Sequence, residues 1–532
     1  MADSTRGAAP TRLTWLDRLV ASVDPQRGLK RLAARTALAH YEAARPSTQR
    51  KWRTTSGEPN HLPGMSAVAL RNHARYLERN HDIARGIVST LVHNVVGPAG
   101  IGVEFQPRRR DGTIHSQYAA ALGTAWKDWA RRPEVTWKLH WAAAQRLQAR
   151  TWFRDGEAFG QRIVGPVPGL DHGTRVPYSI ELIEPDLVPL DFDDEARRIR
   201  QGCERNAWGR ALAWHVYKGH PEDAGTWRGV RPQAETKRVP AERMLHLAHC
   251  DRIGQIRGVS AFASVITRLE DIKDYEESER VAAKVAAMIT GFVKRHHPDG
   301  YDPKGMETDE EGNLKPRDLR MQPGMIIDSL AVGEEIGLLA ANRPNPNLAL
   351  FRAGQLRALA GGVLASYSSI ARDYNGTYSA QRQELVEQWV HYAVLSDDFA
   401  SGMVLPVVQD FVVAADLSGV APTPRDLLEG TADDVLLVYP SMPWIEPMRE
   451  MSAWLLAVQA GFASEYEVMR KRGVNPADLL AQVMEWRGKT KAADLTFSSD
   501  AATQTQTSTV AAAEAGLAPS SGQADGGNAA AA

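Results

Sequence analysis

From Val259 to Arg295 the chain carries apolar residues at a three-to-four residue spacing, and that period predicts a single helix of roughly 36 residues. At 1.5 Å per residue such a helix is about 54 Å long, more than the diameter of a small domain. It must cross a structure or protrude from it. Its first half sets Phe262, Val265, Ile266, Leu269 and Ile272 beside a charged face running from Glu270 to Arg280. The second half turns small and apolar, with Ala282, Ala283, Ala286, Ala287, Met288 and Ile289.

The flanking segments differ in texture. Val68, Leu70, His73, Tyr76 and Leu77, then Ile83, Ile87, Leu91 and Val95, predict amphipathic helices that stop at Gly97-Pro98. A short strand follows at 102–107, and helix returns over 118–131. Between Arg150 and Leu247 the chain shifts to strand-like runs, 159–164, 178–183 and 211–217, separated by Gly, Pro and Asp. The expected body is therefore α+β and not a doubly wound sheet. A polar excursion from His296 to Arg320 separates the long helix from a return helix at 348–366. Ser379 to Asp397 is a further helix, extended by the apolar run from Met403, and Val435 to Tyr439 reads as a strand. Ser464 with Glu467 makes a capping box, and Asn475-Pro476 opens a last helix expected to close at Gly488. The Ala, Ser, Thr, Gln and Gly tail from about Lys491 reads as disordered.

Composition narrows function. The chain has 532 residues, enough for two to four domains, and 43% hydrophobic residues, enough for a real core. A net charge of -1, from 63 basic and 64 acidic side chains, argues against gripping nucleic acid by bulk electrostatics. Cys203 and Cys250 cannot build a disulfide framework and read as two buried thiols of a reducing cytoplasm. No signal-like or membrane-length apolar run stands out, so a soluble protein without membrane contact is expected.

Fragments that mimic enzyme signatures fail on context. Gly97 to Gly102 follows a helix and precedes a strand, the reverse of a dinucleotide fingerprint. Gly488-Lys489-Thr490 lacks the earlier glycine of a phosphate loop, since Val483 stands there. The carboxylates Glu181, Glu184, Asp186, Asp191, Asp193 and Asp194 could hold a divalent metal, but the alternation at 180–183 points to a strand with a solvated acidic edge. His246, His249 and Cys250 have zinc-ligand chemistry, yet adjacent strand positions face opposite ways. The reading is of no enzyme: no catalytic residue, no cofactor and no metal.

One stretch points elsewhere. Pro323-Gly324, Gly333-Glu334, Asn342-Arg343-Pro344 and Ala371-Arg372-Asp373-Tyr374-Asn375-Gly376-Thr377-Tyr378 leading to Arg382 bracket two long helices around a polar loop. With Arg154-Asp155-Gly156-Glu157-Ala158, Glu184-Pro185-Asp186 and Gln255-Ile256-Arg257-Gly258-Val259, the chain closely resembles the lambda-type bacteriophage portal family over roughly residues 25–488. The resemblance implies an α+β portal fold with wing, long-helix stem, clip and helical crown, assembled as a ring, commonly of twelve. It divides the chain into an N-terminal arm (1–60), wing (61–254), stem helix (255–295), clip (296–345), returning stem helix (346–368), tunnel loop (369–382), wing and tunnel helix with strand (383–445), crown (446–490) and tail (491–532).

The same resemblance implies a channel at one capsid vertex for packaging and ejecting double-stranded DNA, bound without sequence preference. The implied partners are further copies of the chain, the terminase large subunit, head completion or connector proteins and the major capsid protein. Assembly would occur in the host cytoplasm and the product would reside in the virion. DNA-channel contacts are expected from Arg372, Asp373, Tyr374, Asn375, Gly376, Thr377, Tyr378 and Arg382, with Asn375-Gly376 supplying unusual turn torsions. Terminase and connector contacts are expected from Lys294, Arg295, His296, His297, Lys304, Lys315 and Arg317. The rival readings are a minor capsid or scaffold protein without a channel, and a metal-dependent nuclease on the Glu181 to Asp194 carboxylates.

Overall fold

The computed structural model describes residues 20, 22–27, 30, 57–222, 236–288, 292–295, 334–337, 347–442, 447–493 and 495. Two units emerge, Met1–Glu58 and Pro59–Ala532. In the first, residues 25–27 are helical, and Asp24 Oδ1 accepts from the Arg27 amide at 3.1 Å.

The second unit opens with α1 (His61–Asn80) and α2 (Asp82–Val95), followed by β1 (Gly102–Phe105), α3 (Ser116–Trp129) and α4 (Trp141–Asp155). Strands β2 (Glu157–Val164), β3 (Tyr178–Ile183), β4 (Ile199–Arg200), β5 (Cys203–Arg205), β6 (Ala211–Tyr217), β7 (Thr236–Pro240) and β8 (Met244–Ala248) come next. Then follow α5 (Ile266–Met288), β9 (Phe292–Arg295), β10 (Glu334–Gly337), α6 (Leu348–Val363), α7 (Tyr367–Ala371) and α8 (Tyr378–Phe399). A π-helical turn, Ala400–Val404, joins α8 to α9 (Leu405–Leu417). Last come β11 (Val435–Val438), α10 (Pro447–Gln459), α11 (Glu465–Lys471) and α12 (Pro476–Ala492).

The strands form antiparallel sheets in the orders β3-β2-β8 and β4-β5-β6-β7, together with the pairs β1-β11 and β9-β10. Helices and antiparallel strands are mixed as the sequence texture requires. The main core is aromatic where α3, α4, β3 and α9 meet. Trp129 stacks on Tyr178 with ring centroids 5.4 Å apart, and its indole N–H donates to the Tyr178 carbonyl at 2.9 Å. Trp126 and Phe411 meet edge to face at 5.0 Å, a geometry that the ring quadrupoles favour. A second cluster, with Phe159, Cys203, Trp214 and Val239, lies around the four-stranded sheet.

The long helix is shorter than its period predicts. It spans Ile266–Met288, 23 residues, because the preceding residues spend their amides on tertiary bonds. Val259 N donates to the His249 carbonyl at 3.2 Å and Ala261 N to the Phe153 carbonyl at 3.1 Å. At the other end, Phe292–Arg295 is a strand paired with Glu334–Gly337, where β-prone Phe292 and Val293 follow Gly291. Helix α12 in turn runs through Gly488 to Ala492. A lone glycine weakens a helix by only about 1 kcal/mol, and nothing forces a turn there.

Three further expectations change. On α1 the buried face is Ala67, Arg71, Ala74, Leu77 and Glu78, while Val68 and Tyr76 are exposed. Cys203 is buried, but Cys250 is exposed, since it lies just beyond the end of β8. The continuous helical run Tyr378–Leu417 is long and apolar enough to cross a membrane by length and composition, contrary to the sequence reading. Half of its apolar window is buried, and Phe399, Met403, Val404, Val407, Val408 and Phe411 are core residues, so that half serves internal packing.

Candidate functional site: a buried ionic scaffold and an exposed loop

Three sequence segments that looked separate converge on one carboxylate. Glu157 opens β2 and is fully buried. Arg257 reaches it from the segment before α5, with Nη2 2.6 Å from Oε1 and Nε 2.9 Å from Oε2. Arg71 of α1 donates to Oε1 at 3.0 Å, the Gly258 amide donates to Oε2 at 3.2 Å, and His246 Nε2 lies 3.3 Å from Oε2. Arg257 Nη1 also donates to the Val188 and Gln201 carbonyls at 3.1 and 3.0 Å. Burial alone would raise the Glu157 pKa, but the Arg257 charge, the His246 hydrogen bond and Arg71 outweigh it and hold the carboxyl well below the usual range.

The network continues outward through α1. Arg71 Nη1 donates to Asp186 at 3.1 Å, and Arg75 reaches Asp186, Glu184 and Asp155 at 2.5, 2.9 and 2.8 Å. Asp155 is also gripped by Arg154, at 2.7 and 3.0 Å. Asp155 is buried and Asp186 partly buried in this arginine network, while Glu184, Asp191 and Asp193 stay exposed, as the solvated acidic edge of the sequence reading requires. Glu184, Asp186 and His220 do bring ligand atoms within 4.8 Å of one another. Arg75, however, already bridges both carboxylates, and a divalent cation would have to displace it. The nuclease reading thereby loses two of its central ligands to an ion-pair network.

The histidines are equally committed. His246 stacks on Phe159 at 4.4 Å and His249 on Trp152 at 4.3 Å. Burial, assisted by His391, pushes the His249 pKa down to about 4.

Glycine lets the segments meet. Gly156 has φ +90°, and a Cβ there would sit 2.2 Å from the Val259 carbonyl carbon. At Gly258 a Cβ would lie 2.0 Å from the Gly156 oxygen. Neither position has room for any other residue. The signal that sequence reasoning missed was Arg71: a charge on an amphipathic helix at the spacing of Ala67, Ala74 and Glu78.

The exposed loop sits between α6 and α8. Leu364 and Arg372 take left-handed torsions, φ +52° and +54°, and they bracket the short helix α7. Ser366 caps that helix, accepting from the Ser369 amide at 3.3 Å. The unusual torsions thus fall at these two positions and not at Asn375-Gly376. The turn itself is built by Asp373, whose Oδ1 accepts from the Asn375 amide at 3.1 Å and whose Oδ2 accepts from the Tyr367 hydroxyl at 3.2 Å, so ordinary torsions suffice. Thr377 caps α8 through the Ala380 amide at 3.4 Å.

Arg372, Tyr374, Asn375, Gly376, Thr377, Tyr378 and Arg382 are all exposed, and Asp373 is partly buried. Arg382 Nη1 donates to the Tyr378 hydroxyl at 3.2 Å and lies 3.9 Å from Glu450. Of the second expected contact set, two residues have a described backbone. Lys294 and Arg295 lie in β9, in register with Glu335 and Glu334. His296, His297, Lys304, Lys315 and Arg317 fall outside the described residues.

The buried ion pairs join β2 to α1 and to the residues before α5, and the short capped loop at 372–378 is a separate, exposed feature. The profile of the lambda family of phage portal proteins matches residues 45–395. The chain belongs to that family and is a portal protein of a phage capsid. It is 24% identical over 452 residues to the probable portal protein of Halomonas phage phiHAP-1, covering 81% of this chain and 82% of that one. The portal protein of Escherichia phage N15 is 22% identical, over 60% of this chain and 64% of the relative. Portal protein B of Escherichia phage lambda is 21% identical, over 57% and 60%.

Among solved structures, the neck of a native gene transfer agent particle computed with C12 symmetry aligns with TM-score 0.41 and 13% identity, covering 78% of this chain and 99% of that one. The virion of a native gene transfer agent particle aligns with TM-score 0.40 and 13% identity, over 80% and 97%.

Proposed function

We propose that this portal protein assembles as a closed ring, commonly of twelve copies, whose bore passes double-stranded DNA into and out of the capsid. The family match over residues 45–395 carries this reading. In it, residues 61–254 and 383–445 form the wing, α5 and α6 the stem, 296–345 the clip and α10 to α12 the crown. The clip, with Lys294, Arg295, His296, His297, Lys304, Lys315 and Arg317, docks the terminase large subunit and later the head completion proteins. The major capsid protein surrounds the ring, which is put together in the host cytoplasm and stays in the virion. The chain supplies no chemistry of its own, and the driving force comes from the motor.

Near-neutral charge suits a conduit, because every phosphate neutralised by a fixed cation adds salt-dependent affinity that would hold the cargo still. Class-averaged electron micrographs of the purified chain are expected to contain rings of about a dozen subunits with an open centre. Material that stays monomeric while cutting DNA or hydrolysing nucleotide would overturn the reading.

The loop from Arg372 to Tyr378, with Arg382 at its base, faces the bore in this reading and touches passing DNA. Replacing 373–377 by a glycine-serine linker of equal length is expected to leave ring formation intact. DNA retention in filled heads is expected to fall at least tenfold, measured as the fraction of genome protected from nuclease. Unchanged protection would remove the loop from the channel.

A further inference from the structure

The C-terminal helices are built as if half of their packing were missing. No residue of α10 or α11 is buried, and α12 buries only Pro476. Yet α10 carries Met448, Met451 and Leu455 at helical spacing, and α12 carries Leu480, Val483 and Met484, followed by Trp486. Met448, Leu455 and Met484 are 78%, 59% and 66% exposed, and Phe462 in the connection is 86% exposed. Stripes with this three-to-four residue period are made to receive another helix.

The ion pairs that hold these helices to the body are Lys127 with Asp478 at 2.8 Å and Arg470 with Glu104 at 3.2 Å, while Lys471 of α11 lies over the Trp454 ring of α10 at 4.6 Å. Beneath them, a cavity of about 860 Å³ separates α10 and α11 from α8 and β11, with Trp389, Leu436 and Trp454 among its walls. The apolar floor continues along α8 into Val390 and Val394, which are also exposed.

Area identifies the occupant. Side chains of this size each bring on the order of 100 Å² of apolar surface when fully covered. The exposed set on α10, α12 and their connection therefore exceeds the roughly 300–600 Å² of the largest patch on an ordinary monomer. It approaches the ~800 Å² per partner of a stable protein interface. A closed ring of identical chains uses two different faces of each copy, one against each neighbour. Separate stripes on α10 and α12, beside this cavity, supply such faces.

We infer that α10 to α12 complete their hydrophobic core only against the same helices of a second copy, so that the order of this helical layer is coupled to ring closure. The inference rests on the ring reading above. It adds that residues 447–493 supply a principal cohesive contact between copies.

The test uses the full chain and the variants Leu455→Asp and Met484→Asp. Both side chains are exposed, so the body should fold as in the parent, which circular dichroism and unfolding of the body verify. Native mass spectrometry over a dilution series is expected to show the variants needing at least tenfold more protein to form rings. Hydrogen exchange is expected to show amides of 447–493 protected in the parent ring and open in the unassembled variants.

If the parent forms rings, but the variants assemble at the same concentration and these amides exchange freely in the ring, the inference falls while the ring reading stands. If the parent itself remains a single copy at every concentration, the ring reading falls and the second-copy occupant falls with it.

Discussion

Replacing Glu157 with glutamine is expected to cost about 3–5 kcal/mol of folding stability, the usual penalty for leaving a buried charge without its counter-ion. Arg257 is fully buried and its guanidinium spans Glu157 and two backbone carbonyls. Glutamine keeps the shape but removes the negative charge that both Arg257 and Arg71 face. Chemical unfolding at fixed protein concentration reads the loss. A cost below about 1 kcal/mol would mean that the carboxylate is not the keystone described above.

The same variant changes the acid limb. The folded-state pKa of Glu157 lies well below that of an unfolded glutamate, about 4.3. Below that value the unfolded chain binds a proton that the folded chain does not, so stability falls as the pH falls. The parent should lose stability steadily from about pH 4.5 downward. Glu157→Gln should have a flatter profile over that range, starting from a lower plateau. Replacing Glu157, Arg257 and Arg71 together by apolar residues of similar size should recover part of the loss, because no ion is then left unpaired.

The fold was readable where one residue's environment depends on its near neighbours. The strands at 178–183 and 211–217 and the capping residues Ser464 and Asn475 all appear where local rules place them. What local rules could not give were contacts that override them. The predicted 36-residue helix lost its first turns because His249 and Phe153 compete for the amides of 259–261. Helix α1 turns Arg71 and Glu78 inward, and not Val68 and Tyr76, because their partners Glu157, Arg150 and Arg154 come from elements 70 or more positions away.

The loop at 372–378 could be located from its polar, glycine-bearing sequence. Its torsions could not be assigned, because Asp373 builds by side-chain hydrogen bonds what Asn375-Gly376 would otherwise have built by backbone conformation. Similarly, Asp186 looks solvated until α1 brings Arg71 and Arg75 against it.

Gly258→Ala and Gly156→Ala are expected to be as damaging as loss of the buried charge, and for a purely steric reason. A methyl at Gly258 would lie 2.0 Å from the Gly156 oxygen and 3.0 Å from the His249 nitrogen. These are backbone atoms fixed by the β2-β8 pairing, in which Glu157 faces Ala248, so no side chain can swing away to make room. At Gly156 the methyl would meet Val259 backbone at 2.2 Å and also require φ +90°.

Overpacking and a disallowed torsion each cost about 1–3 kcal/mol, and the Gly258 amide that binds Glu157 at 3.2 Å would be pushed out of reach. A loss of about 3–5 kcal/mol follows for either variant. Gly86→Ala supplies the contrast: it lies within α2 with nothing within 4 Å of the added carbon, and should stabilise by roughly 0.5–1 kcal/mol. Thermal unfolding of the three variants separates the explanations. If Gly258→Ala melted with the parent, the close approach of the two family segments would not be what joins β2 to the start of α5, and the convergence on Glu157 would need another cause.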